Sequence, residues 1–343
     1  IKEKEVVVII GPSGSGKSNP MEGVWHMQSA TSARTMTKQE LKREKSTVFR
    51  KRLKNSGVSY LMMFPFALFF LIVTVIPVLS AIVLSFTYFN MLQPPTFVGF
   101  DNYRRMLIGD PNFITVLKNT ILFALVTGPI GYFMSFFFAW LINELSPRVR
   151  AVMTMIFYMP TLVGNIFFVW TYLFSGDAYG IINSVLLELG VVLEPIQWLS
   201  NASTVPIVVI VIQLWLSLGN GFLAFIAGFQ GLDRSLYEAG AIDGMRNRWQ
   251  ELWYITLPQL APQLMFSAVM TIGSAFGISG VITVMVGTPT TEYAADSLVT
   301  YMQDVGNIRY EMGYASAIAV FLFALMMIFN FVIKNVLRRY QTD

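Results

Sequence analysis

Three groups of residues in this 343-residue chain have the types and spacing to do chemistry. Gly11-Pro12-Ser13-Gly14-Ser15-Gly16-Lys17-Ser18 fits G-x-x-x-x-G-K-[ST] completely, and Val6–Ile10 before it reads as a buried strand. Such a loop cradles phosphates with backbone N–H groups, while its lysine reaches the terminal phosphate. It works only with a helix whose N-terminus faces the anion, a sheet around the strand and an acidic residue for Mg²⁺. None follows here: Asn19-Pro20 replaces the helix, and a Ser/Thr/Ala-rich stretch comes next. The second group is Gln213, Ser217 and Asn220, an amide–hydroxyl–amide set at i, i+4, i+7 that shares one face of an unbroken helix. Leu216 lies beside it, and Ser274 and Gly277 form a smaller open polar face further on. The third is Tyr237–Pro262, a polar stretch that itself reads as structured. The chain has no cysteine, so disulfides and thiol chemistry are excluded. Its one histidine, His26, is too isolated for a metal site, which needs several ligands.

The elements that position these groups lie in a membrane. Apolar residues make up 55% of the chain and charged residues 13%, where a soluble domain carries about 25%. Six uncharged apolar stretches, near 60–89, 119–142, 151–174, 204–229, 262–286 and 314–333, are each long enough to cross a hydrocarbon core as a helix. An all-α polytopic membrane protein with six transmembrane helices is expected. Seventeen lysines and arginines fall on one side of these spans, in 34–54, 148–150, 234–248 and 334–339, against four on the other. Both termini are therefore expected in the cytoplasm. The basic run 36–54 sits next to a span, which favours the inner headgroups over nucleic acid as its partner.

No span contains Asp, Glu, Lys, Arg or His, so the usual intramembrane proton relay is missing. Work must enter from elsewhere, and Tyr237–Pro262 faces the cytoplasm. Ser235 and Glu238 have the spacing of a capping box, so a short helix is expected to begin there. Asp243-Gly244 ends it, because glycine tolerates the left-handed conformation. A second short helix is expected from Asn247 to Thr256, with Trp249 and Trp253 on one face.

Glu238-Ala239-Gly240-Ala241-Ile242-Asp243-Gly244, followed by Ile255-Thr256-Leu257-Pro258 and Pro262, resembles the EAA loop of binding-protein-dependent ABC importer permeases. On the opposite side Ser85-Phe86-Thr87, Phe97–Tyr103, Asp110–Phe113, Asn119-Thr120, Tyr179–Asn183 and Trp198–Ser200 are similar to the carbohydrate-uptake members, among them the maltose and glycerol-phosphate permeases. The likeness covers roughly 58–340. It implies a type I importer permease fold in the cell membrane, with no enzyme activity and no cofactor in this chain. ATP and Mg²⁺ would belong to two copies of a partner ATPase. A second permease and an extracytoplasmic binding protein would complete the assembly, and nucleic acid has no place in it.

The loop at 233–262 would then couple to the ATPase through Glu238, Ala239, Gly240, Asp243 and Gly244. Gly240 stands where the family usually has Ala, which is expected to loosen the first short helix by about 0.5–1 kcal/mol; Met245 is also often Ala. Positions aligning with Gln213, Leu216, Ser217 and Asn220 line the sugar pocket of the maltose permease, and Ser274 and Gly277 join them as substrate candidates. Interhelical hydrogen bonding is the competing reading of these polar groups. A permease for another small solute, or a secondary transporter working without an ATPase, are the alternative functions; a tethered nucleotide-binding enzyme rests on the P-loop alone. Residues 1–20 resemble the opening of an ABC ATPase and read as a stray fragment, a fusion or gene-model artefact. Residues 21–57 form a basic cytoplasmic segment, and 58–340 the permease domain.

Overall fold

In a bilayer every backbone N–H and C=O must find its partner within the protein, so long apolar stretches fold as helices. The computed structural model describes residues 57–163 and 166–339. The P-loop-like stretch, His26 and the basic run therefore lie outside the described residues. The chain divides into units Ile1–Leu68 and Phe69–Asp343, and the packing below belongs to the second.

The first span is α1 (Gly57–Phe70), a π-turn, and α2 (Ile76–Leu84). It ends five residues before the expected limit. There Thr87–Tyr88 (β1) turns back on Thr96–Phe97 (β2) as a two-stranded ribbon. α3 (Pro111–Asn143) is a second span of 33 residues. α4 (Pro147–Leu162) and α5 (Phe167–Leu173) occupy the third expected span, yet they meet at 85°. Pro160 removes one helical hydrogen bond and Val163 is extended, so 151–174 is a bent pair rather than one straight helix. α6 (Ile181–Glu188) lies in the following connection. α7 (Val205–Leu216) and α8 (Asn220–Gln230) make the fourth span. α9 (Arg234–Ile242) and α10 (Arg248–Glu251) form the loop. α11 (Ala261–Phe276) and α12 (Gly280–Met285) make the fifth span, α13 (Leu298–Gln303) caps it, and α14 (Met312–Arg339) is the last.

α3 is the hub, packing on α7, α8, α11 and α13. Phe113 and Val116 near its start join Ile272, Phe276 and Ile318 in one buried cluster. Phe123 packs with Val209, Ile212 and Ile282, and Ala139 with Phe222, Phe225 and Leu260.

The residues that carry the likeness on the side opposite the coupling loop are buried polar pins. Asn102 donates from Nδ2 to the carbonyls of Ser85 and Thr87, both at 2.9 Å. Asn183 donates to Ser175, Asp177 and Ile196 carbonyls and accepts from Trp198 Nε1 at 2.9 Å. Asn119 reaches the Tyr293 carbonyl at 2.8 Å, while Thr120 Oγ1 accepts from Leu298 N at 2.8 Å. Asp110 caps α3 by accepting from Asn112 and Phe113 N–H, and its other oxygen takes both Tyr301 and Tyr314 hydroxyls at 2.6 Å. Burial pushes this carboxyl up, but the hydrogen bonds from the two tyrosines and the two amides outweigh it and hold it below the ordinary range. Each pin satisfies backbone groups that no helix or strand would serve.

Candidate functional site

The fourth span is not continuous. After Leu216 the chain leaves the helix at Ser217 and Leu218, Gly219 is neither helical nor extended (φ −109°, ψ −134°), and α8 starts at Asn220. The i, i+4, i+7 argument therefore holds for Gln213 and Ser217 but not for Asn220, which lies beyond the interruption. Neighbouring helices supply the hydroxyls that the freed carbonyls need. Ser135 on α3 donates to the Ser217 carbonyl at 3.0 Å, and Thr161 on α4 donates to that of Leu218 at 3.5 Å. Gly131 admits the close approach, since a Cβ there would stand 2.7 Å from Ser217 Cβ.

The fifth span breaks in the same manner between Phe276 and Gly280, and the buried Ser297 hydroxyl donates to the Ile278 carbonyl. The substrate candidates from both spans thus stand at interruptions. Ser217 spends its proton on Leu214 O at 2.6 Å, and Ser274 on Thr271 O at 3.0 Å. Gln213 is half-buried and its amide makes no hydrogen bond among the described residues; Leu216 is half-buried too. Ser274 and Gly277 are exposed. Trp215 meets Trp170 edge to face at 5.3 Å.

The loop at 233–262 differs from expectation at its start and agrees at its turn. The N-cap is Asp233, whose carboxylate accepts from Ser235 N at 2.9 Å, so Ser235 and Glu238 form no capping box. Aspartate two residues earlier takes the free N–H groups first. Glu238 and Ala239 are exposed, and Glu238 lines a cleft of about 730 Å³ with Glu144, Arg150, Arg234, Arg248 and Glu251. Arg248 bridges Glu251 at 2.8 Å and Glu144 at 3.4 Å; the Glu251 hydrogen bond and the Glu144 charge raise its pKa.

α9 ends in a full Schellman turn. Asp243 is the C-cap, Gly244 has φ +91°, Met245 N bonds Gly240 O at 3.0 Å and Gly244 N bonds Ala241 O at 3.3 Å. Asn247 then caps α10 by accepting from Trp249 N, and a π-turn at Leu252–Thr256 completes the second helix. Tyr237 Oη and Thr256 Oγ1, 2.8 Å apart, tie the two helices together.

Close packing explains the glycine at 240. It is the buried residue of that helix, and a Cβ there would lie 2.9 Å from Ile255 Cδ1 and 3.1 Å from the Met245 sulfur. The two departures from the family pattern, Gly240 and Met245, therefore compensate each other. Gly240→Ala alone is expected to change stability little, because about 1 kcal/mol of helix propensity is offset by displaced side chains. Gly240→Ala with Met245→Ala should couple favourably by about 0.5–1 kcal/mol. Melting of the purified complex for both singles and the double checks this; strict additivity would contradict the contact.

A family model described as "Binding-protein-dependent transport system inner membrane component" matches residues 127–342, which hold the 233–262 loop and both interrupted spans. The chain belongs to this family. The permease is 31% identical to the "Probable ABC transporter permease protein YesP" of Bacillus subtilis over 78% of its own length and 85% of that protein's. It is 29% identical to the "Arabinooligosaccharides transport system permease protein AraP" of Halalkalibacterium halodurans, covering 84% of this chain and 90% of that one. The "Lactose transport system permease protein LacF" of Rhizobium radiobacter is 31% identical over 58% of the permease and 66% of its own chain. In fold, the permease superposes with a TM-score of 0.67 on a chain of a bacterial ABC transporter involved in the import of the acidic polysaccharide alginate. That match has 24% identity and covers 85% of this chain and 98% of that one.

The permease is a multi-pass helical membrane protein and a transport subunit. Sequence reasoning missed both interruptions and the hydroxyls that stabilise them. Ser217-Leu218-Gly219 and Gly277-Ile278-Ser279 were the available signals, each a pair of small residues around one apolar residue.

Proposed function

We propose that the permease translocates a sugar or oligosaccharide past the interruption of its fourth span, delivered by an extracytoplasmic binding protein and driven by two cytoplasmic ATPases. The observation that carries this is Gln213: a half-buried amide without a hydrogen bond among the described residues, one turn from a broken helix in a charge-free span. Such a group needs partners that both donate and accept, which sugar hydroxyls supply. The carbohydrates named for AraP and LacF support the same class. Leu216, Ser217, Asn220, Ser274 and Gly277 complete the candidate path, with a second permease closing the exposed face of the fifth span.

The excess of basic residues around the coupling loop supports cytoplasmic termini, and Glu238, Ala239, Gly240, Asp243 and Gly244 form the docking element. ATP and Mg²⁺ act in the partner. ATPase closure biases the packing of the spans between inward- and outward-open arrangements.

Gln213→Leu is expected to reduce uptake of the transported sugar at least tenfold, since it removes a hydrogen-bonding amide from the path; basal ATP hydrolysis and assembly should persist. Uptake into vesicles containing the complete complex is the assay. Normal transport by this variant would make Gln213 a packing residue and move the path elsewhere.

A further inference from the structure

An apolar groove of about 480 Å³ runs between the last turns of α3 and the second half of the coupling loop. Phe133, Phe137 and Trp140 form one wall, and Trp249, Trp253 and Leu264 the other. Trp140 and Trp249 meet at 5.4 Å between ring centroids. The remaining ring surfaces are open: Phe133 is 67% exposed, Trp249 55% and Trp253 64%.

Depth restricts what can cover them. The 33 residues of α3 rise about 50 Å, against a hydrocarbon core of about 30 Å and roughly 40–45 Å with headgroups. Centred in the bilayer, α3 puts Phe133 inside the hydrocarbon, Phe137 at its edge and Trp140 among the headgroups. The coupling loop's tryptophans lie against that boundary, where indole rings partition. Charge restricts it further. Arg246 lies three residues before Trp249, ahead of the extended cap Asn247, Arg148 follows the end of α3, and both are exposed with no ion pair among the described residues. Size completes the argument. One turn of helix, about 10–12 Å across and 5.4 Å long, would fill roughly 400–600 Å³, so the groove is too short for a helix of several turns. An alkyl chain fits.

We propose that the groove holds an acyl chain of an anionic phospholipid, with its headgroup at Arg246, so that the bilayer anchors the second half of the coupling loop. Lipid then fixes the tilt at which α9 meets its partner, and anionic lipid strengthens coupling. Only this consequence rests on the coupling reading; occupation of the groove does not.

The test uses the complete complex in nanodiscs. Tryptophan emission is measured with brominated phosphatidylglycerol and with brominated phosphatidylcholine, for the wild type and for a Trp249→Phe/Trp253→Phe variant. The expected result is a quenched component that the double variant lacks, larger with phosphatidylglycerol, and lost in preference for it when Arg246→Gln is introduced. Binding-protein-stimulated ATP hydrolysis should fall severalfold in phosphatidylcholine alone. Identical quenching of wild type and double variant would overturn the proposal. So would photo-cross-linking from a benzoylphenylalanine at position 253 to a second permease or to residues 36–54 of this chain. Quenching needs neither substrate nor ATP, so its outcome is separate from that of the transport assay.

Discussion

Gly244→Asp is expected to abolish transport while leaving the subunit folded, inserted and able to pair with the second permease proposed above. Gly244 holds φ +91° at the position after the C-cap, and no heavy atom lies within 4 Å of an added Cβ. The substitution therefore creates no clash inside the chain. Its cost is backbone strain of about 1–3 kcal/mol, which lowers the population of the docking turn by roughly 5–150-fold. The new carboxylate adds a charge beside exposed Asp243. The spans feel none of this, because α8 and α11 are held by their own buried contacts. Co-purification of the ATPase with the variant, and binding-protein-stimulated hydrolysis, measure the effect. Full stimulation and transport would remove the coupling role from this turn.

Asp110→Ala should have the largest effect on stability. The change removes the α3 cap, worth about 0.5–2 kcal/mol. It also strands two buried tyrosine hydroxyls at about 1–3 kcal/mol each. A loss of roughly 3–8 kcal/mol is a large share of the 5–15 kcal/mol typical of a folded domain. Tyr301→Phe with Tyr314→Phe in the Asp110→Ala background should recover part of it, since no hydroxyl is then left without an acceptor. Because hydrogen bonding holds the Asp110 pKa below its ordinary value, its contribution is complete above about pH 4. It is lost as acidification carries the pH down through the lowered native value. Melting of the purified complex against pH reads both effects. An Asp110→Ala protein that melts with the wild type would show that the cluster carries no stability.

The spans and the turn of the coupling loop were legible because each rests on local chemistry: uninterrupted apolar stretches, and a glycine after Asp243. The cap of α9 was misplaced by two residues because Asp233 and Ser235 both qualify by type, and only backbone geometry selects the aspartate. The break after Leu216 was only faintly legible, since Ser217 and Gly219 are the sole local signal and the hydroxyls that make it tolerable, Ser135 and Thr161, come from other helices. The packing around Gly240 was not legible for a related reason. Its value depends on Ile255 and Met245, and a propensity scale treats each residue alone. Asp110 gave no signal as a hub because its tyrosines lie so far along the chain.

That separation sets an order of assembly. Tyr301 and Tyr314 lie 191 and 204 residues after Asp110. At about 5–20 residues per second, synthesis delivers them roughly 10–40 s after the carboxylate has emerged. Throughout that interval Asp110 can cap α3 through Asn112 and Phe113, which are local, while its other oxygen is served by water. The Asp110 cluster therefore cannot close until the start of α14 has been made, and a ribosome halted before Tyr301 leaves a membrane-inserted chain whose hub helix is capped but not yet locked.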